Sequence, residues 1–123
     1  MPLTTADKPT DLIRYRMQDT EDALLFGLPL AKGDGIRTGG FLVSFRLAIE
    51  TLIAQSKVVS QAADEGDLVL VRTVLNGMTR SMRELLDQQS SKRARYEWTR
   101  ALQAIERAEG GAAMLEWVNT PRV

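Results

Sequence analysis

Lys32, Arg37 and Thr38 lie in the run Leu30-Ala31-Lys32-Gly33-Asp34-Gly35-Ile36-Arg37-Thr38-Gly39-Gly40-Phe41, where two cations and a hydroxyl are interleaved with four glycines. These are the parts of an anion cradle: backbone amides that glycine leaves accessible, a cation or two, and the N-terminus of a following helix. The spacing argues otherwise. A phosphate loop of the G-x-x-x-x-G-K-[ST] kind carries Lys and Ser/Thr after its last glycine, where this chain has Phe41. The dinucleotide fingerprint needs a preceding strand and a βαβ frame, and neither is visible in the flanking pattern. The run therefore reads first as a bendable helix–helix connection, with Thr38 as cap of the next helix. Lys32, Arg37 and Thr38 remain a subordinate anion site. From residue 27 to residue 40 the connection is fourteen residues long, against about two to eight in most bundles. A segment of that length is expected to contact a partner, or to stay the least ordered part of the chain until one arrives.

A second set is Arg93, Arg100 and Arg107, spaced by seven, with Tyr96 and Gln103 beside them and Lys92 at the start of the row. With Arg72, Arg80 and Arg83 they give the half after Leu68 nine cations against six acids, while the part before it carries seven against ten. An arginine row with an interleaved aromatic suits phosphates or an acidic protein surface. Against this, Arg93–Glu97, Arg80–Glu84 and Arg83–Asp87 are (i, i+4) pairs of the kind found on a plain solvated helix. No helix-turn-helix, zinc-finger or basic-zipper signature accompanies the row. Arg93, Tyr96, Arg100 and Arg107 thus form the alternative, nucleic-acid-binding face.

The third set is apolar. The helix after the glycine-rich run has a main stripe of Phe41, Phe45, Ala48, Leu52, Val59 and Ala63, widened by Leu42, Ile49 and Ile53. Val43, Leu47, Ala54 and Val58 make a separate seam, with Arg46, Glu50 and Lys57 filling the gap. A helix apolar on two sides packs between neighbours or lends one side to a partner chain. The chain's own first helix has the least regular stripe of all, so part of this seam is expected to remain uncovered as a dimer or hetero-partner surface. Trp117, in the apolar tail, is the anchor residue for the same surface. The expected partner-binding set is Val43, Leu47, Ala54, Val58 and Trp117.

Much chemistry is excluded by absence. The chain has no cysteine and no histidine, which removes disulfides, thiolate zinc sites, cysteine nucleophiles and Ser-His-Asp catalysis. The side chain best suited to proton transfer at neutral pH is missing too. Without Glu-x-x-His pairs a di-iron bundle has no ligands. Asp64-Glu65-Gly66-Asp67 is too short for a calcium loop and reads as a turn in which Asp67 caps the next helix. No metal, no cofactor and no enzymatic activity are expected. Sixteen cations balance sixteen acids, so no global field draws the chain to nucleic acid or anionic lipid. Met1-Pro2-Leu3-Thr4-Thr5-Ala6-Asp7-Lys8 has no signal-peptide pattern, and no apolar run approaches the ~20 residues of a membrane span. A cytoplasmic protein is expected.

The elements that must position these residues are helical. At 123 residues, 44% apolar and 26% charged, the chain is one ordinary globular domain with room for a core. Four stretches carry helical periodicity and none alternates with a strand's period of two. The first spans about 10–26 behind Thr10 as cap, with Ile13, Met17 and Leu24 on one side. The second, the long core helix, spans about 40–63. The third follows Asp67 to about Gln88, with Val71, Val74, Leu75, Met78, Met82 and Leu85 inward. The fourth follows Ser90 or Ser91, turns Ala94, Trp98, Ala101, Leu102, Ile105 and Ala108 inward, and stops at Gly110-Gly111. Met114, Leu115, Trp117 and Val118 then form a short apolar segment ahead of Pro121. The expected architecture is all-α: a compact four-helix bundle around the second helix.

Such a chain is expected to act by binding. The first expectation is a small regulatory or adaptor protein, of the inhibitor, antiactivator or chaperone type found in bacteria and phages, which binds another protein and self-associates. The excess of arginine over lysine, twelve to four, is weakly in keeping with a GC-rich bacterial or phage genome. The alternative expectation is a nucleic-acid accessory protein.

Overall fold

A computed structural model describes residues 9–119. The signal-peptide reading of residues 1–8 and the tail proline, Pro121, fall outside the described residues. The chain forms α1 (Pro9–Gly27), a single 3-10 turn (Leu28–Leu30), β1 (Ile36–Thr38), β2 (Phe41–Val43), α2 (Phe45–Glu65), α3 (Leu68–Asp87) and α4 (Lys92–Asn119). The four helices pack in a ring, each on two neighbours, in the order α1, α2, α3, α4 and back to α1. The fold is the expected small all-α bundle.

The core is built from one stripe per helix. Ile13, Met17, Ala23 and Leu24 of α1 meet Ile49, Leu52 and Val59 of α2, Val71, Leu75, Met78, Met82 and Leu85 of α3, and Trp98 and Ile105 of α4. The closest pair is α1 with α4, and the reason lies in side-chain size. Ala94, Ala101, Ala104, Ala108 and Ala112 line the buried side of α4, so little bulk separates the two backbones. Near the end of α1 the ring of Trp98 slots beneath Gly27, where an added Cβ would lie 2.4 Å from the indole nitrogen. That nitrogen donates to the carbonyl of Leu24 at 3.2 Å, which satisfies the one polar atom of a fully buried indole. Phe45, at the start of α2, tilts against the same ring with centroids 5.6 Å apart.

Three helix boundaries, one pair of strands and the place of α2 differ from the sequence expectation. Thr10 is already inside α1, so it is not the cap. The second helix begins at Phe45 rather than near residue 40: Ser44 is its cap and accepts from the Leu47 amide at 3.1 Å. Phe41, Leu42 and Val43, expected to be helical, instead pair antiparallel with Ile36, Arg37 and Thr38. The turn between these strands is Gly39-Gly40, with φ of 54° and 89°. Two consecutive positive-φ residues fit the turn that matches the right-handed twist of a hairpin, and glycine reaches that conformation without strain. The fourth helix does not stop at Gly110-Gly111. It continues to Asn119 and absorbs the apolar segment, because Ala112 falls on the buried side one turn beyond Ala108 and Leu115 packs against the core a turn later. The Arg72 guanidinium ties the extension to α3 by an ion pair with Glu116, and Thr79 donates to Glu109 in the turn before. Helix α2, finally, is one wall of the ring rather than its centre.

The expected turn at residues 64–67 is present. Gly66 adopts φ 75° at the end of α2, the Asp67 amide returns to the Ala62 carbonyl at 2.9 Å, and the Asp67 carboxylate takes the Leu70 amide at 3.2 Å. Among the described residues no helix is long and apolar enough to cross a membrane.

Candidate functional site

A two-stranded hairpin of three residues per strand is not stable alone, and the glycine-rich run is held down from the connection between α3 and α4. The side-chain amide of Gln88 pairs with both backbone groups of Arg37, accepting from its N–H at 2.6 Å and donating to its carbonyl at 3.1 Å. Next to it, Gln89 is only 2% exposed. Its Oε1 accepts from the Lys32 amide at 2.7 Å and from the Ser91 amide at 2.9 Å. One buried carbonyl oxygen thus joins the connection before the hairpin to the start of α4, where the Ser91 hydroxyl caps the helix through the Ala94 amide.

This anchoring separates the residues of the subordinate anion site. Arg37 and Thr38 are consecutive strand residues and point to opposite faces. Thr38 lines a groove of about 230 Å³ between the hairpin and α2/α3, together with Ile36, Val43, Leu52 and Gln55. Lys32 instead meets Lys92, Arg93, Ser90 and Ser91 in an open cleft of about 460 Å³. A smaller cleft shares Leu30, Lys92 and Arg93 and adds Tyr96 and Glu97. Lys32, Lys92 and Arg93 have no carboxylate partner among the described residues.

The arginine row divides at the same place. Arg100 and Arg107 line a different cleft, facing Asp19 and Asp22 of α1. The expected Arg93–Glu97 pair does not close; Glu97 turns to Arg100 at 3.3 Å. The pairs Arg80–Glu84 and Arg83–Asp87 are likewise absent among the ion pairs of the described residues. Arg93 and Tyr96 therefore belong with Lys32, a grouping no spacing within one helix could reveal. Arg100 and Arg107 sit in a field that acids already offset.

The partner-binding set divides as well. Leu47, Ala54 and Val58 share one exposed strip on α2, with Leu47 54% and Val58 43% accessible. Thr51 lies between them, also exposed. Neither α1 nor α3 covers this strip, because each packs on a flank of α2. On one flank Lys57, Ser60, Gln61 and Asp64 face α1 across a polar cleft; on the other Ala48, Leu52 and Gln55 face the hairpin and α3, and Thr51, at the edge of the strip, borders the same groove. Val43 is half-buried on that second flank, inside the hairpin groove, and does not join the strip. Trp117 is 63% exposed on the last turns of α4 beside Met114 and Val118. Helix α4 stands diagonally across the ring from α2, so Trp117 belongs to another face of the molecule.

Two polar features carried no sequence signal. The cleft between α1 and α2, about 690 Å³, gathers Asp11, Arg14, Glu21, Lys57 and Asp64. Its charges offset one another: Arg14 lies 3.6 Å from Asp11 and 3.5 Å from Asp64, and Lys57 lies 3.4 Å from Glu21. The Gln55 side-chain oxygen, at the hairpin groove, is buried without a hydrogen-bond partner among the described residues. Both depend on contacts between elements distant in sequence. Among the described residues no cluster of acids is arranged to hold a metal ion.

No protein-family model, no curated protein and no solved structure matches the chain.

Proposed function

We propose that this chain is a small, non-enzymatic regulatory or adaptor protein that acts by binding another protein through the outward strip of α2. The observation that carries the reading is the strip itself: Leu47, Ala54 and Val58 fall on one line of a well-packed helix and stay exposed beside Thr51. Apolar side chains in a line on a rigid helix, rather than scattered singly, are the usual form of a helix-binding surface. The lack of histidine and cysteine supports a binding role over a catalytic one. In the test, wild type and the Leu47→Asp/Val58→Asp double variant are compared as bait, with helicity by circular dichroism as the control for folding. The expected result is capture of a protein by wild type and its loss in the equally helical variant. Identical capture by both, or none by either, overturns the reading.

The convergence of Lys32, Lys92 and Arg93 beside Tyr96 favours a second reading, a nucleic-acid accessory role. Unpaired cations next to an aromatic suit a phosphate backbone with a base stacked beside it. Arg100 and Arg107 contribute little to it, since Asp19 and Asp22 face them. Gel-shift affinity that falls steeply with salt and is lost in Lys92→Glu/Arg93→Glu is the expected signature. A flat salt response removes this reading.

A further inference from the structure

Resting on the protein-binding reading of the α2 strip, the geometry points to its occupant: we infer that it is the α2 strip of a second copy, docked antiparallel about a two-fold axis between Thr51 and Ala54. The exposed positions Leu47, Thr51, Ala54 and Val58 are spaced by four, three and four, the stagger of a two-helix seam. The order of sizes along the strip is self-complementary in the antiparallel sense. Reversal sets the largest side chain, Leu47, against the partner's Val58 at each end. It sets Thr51 against the partner's Ala54 in the middle, where small residues let the two backbones approach.

Charge selects the same direction. Glu50, Lys57 and Arg46 stand on one flank of the strip, at about −70°, −90° and −110° from its centre at 100° per residue, so Arg46 lies furthest from the seam and Glu50 nearest to it. A two-fold axis across the helices brings each flank against its own copy, so Glu50 meets the partner's Lys57, and the reciprocal pair forms by symmetry. A parallel dimer would instead set this flank against the Ala48 and Gln55 side, which carries no charge. Lys57 can serve both contacts: its side chain is 72% exposed, it lies 3.4 Å from the mostly buried Glu21, and an ammonium has further donors for a second carboxylate. Four layers of side chains lie at the small end of interface size, below about 1,200 Å², so the dimer is expected to be reversible and concentration-dependent.

The chain has no cysteine, so introduced thiols are its only ones. Under mild oxidation, a mixture of Leu47→Cys and Val58→Cys chains is expected to form disulfide-linked dimers at least several-fold faster than either variant alone. The reason is distance: in the antiparallel seam two copies of residue 47 are separated by eleven helical residues, roughly 16 Å, far beyond disulfide reach. Light scattering should show a dimer that Glu50→Lys weakens several-fold and the swap Glu50→Lys/Lys57→Glu restores. Faster cross-linking by either single variant than by the mixture overturns the antiparallel register. A wild-type chain that stays monomeric at several hundred micromolar overturns the dimer. If that monomer still captures a protein that Leu47→Asp/Val58→Asp does not, the binding reading stands with a different occupant; if capture is also absent, both fall.

Discussion

Helix α2 has two apolar faces, one covered by its neighbours and one left in solvent. The inner one, Phe45, Ile49, Leu52 and Val59, is buried in the core between α1 and α3. The outer one, Leu47, Ala54 and Val58, is exposed along its length. Aliphatic residues at helical spacing therefore build the core on one side and leave an exposed strip on the other. What decides is whether neighbouring elements cover the stripe. Because α1 and α3 both sit on the flanks of α2, the outer stripe is left over by construction.

The largest effect that would sharpen this contrast comes from Leu52, which is 2% exposed. Leu52→Ala removes three heavy atoms from a closed core and leaves a cavity, at a cost of ~2–5 kcal/mol in urea unfolding. A loss under ~1 kcal/mol would mean that the inner face is not packed as described. Next comes the one polar residue of that face. Ser56 is buried and donates its hydroxyl to the Met17 carbonyl at 3.3 Å across the α1–α2 contact. Ser56→Ala deletes that bond, while the carbonyl keeps its place in the α1 ladder, so a loss of ~1 kcal/mol is expected. Of similar size, and acting on both faces at once, is the cap. Ser44→Ala frees the Leu47 amide and should cost ~1 kcal/mol, with fraying at the end of α2 that hydrogen exchange would locate.

Both faces are legible in the sequence because each lies within one helix, where a fixed period reads out directly. The glycine pairs show where that approach ends. Gly39-Gly40 and Gly110-Gly111 look alike, yet the first makes a hairpin turn at positive φ and the second runs through α4 without it. The difference lies in the residues immediately after each pair. After Gly111, Ala112 and Leu115 continue the buried stripe of α4, so the packing on α1 and α3 outweighs the roughly 1 kcal/mol propensity cost of each glycine. After Gly40, Phe41 and Leu42 fit the helical period of α2 by coincidence, and that masks a Gly-Gly turn flanked by short β-prone runs. The grouping of Lys32 with Lys92 and Arg93 is out of reach for another reason. It is made by the buried Gln89 oxygen, which joins segments almost sixty residues apart, and no local pattern encodes such a contact. For the same reason sequence alone does not separate Trp117 from the α2 strip: its distance from that strip is a property of the ring.

The smallest expected stability effect is the one that tests the contrast most directly. Leu47→Ala removes the same three heavy atoms as Leu52→Ala, from the same helix and only five residues away. Leu47 is already 54% exposed in the single chain, and alanine has the higher helix propensity, so the monomer's unfolding free energy should move by no more than ~0.5 kcal/mol. Its association should weaken severalfold, since the end layers of the seam lose their largest side chain. If dilute unfolding experiments gave Leu47→Ala a cost close to that of Leu52→Ala, the strip would be part of the chain's own core, and the difference between the two faces of α2 would disappear.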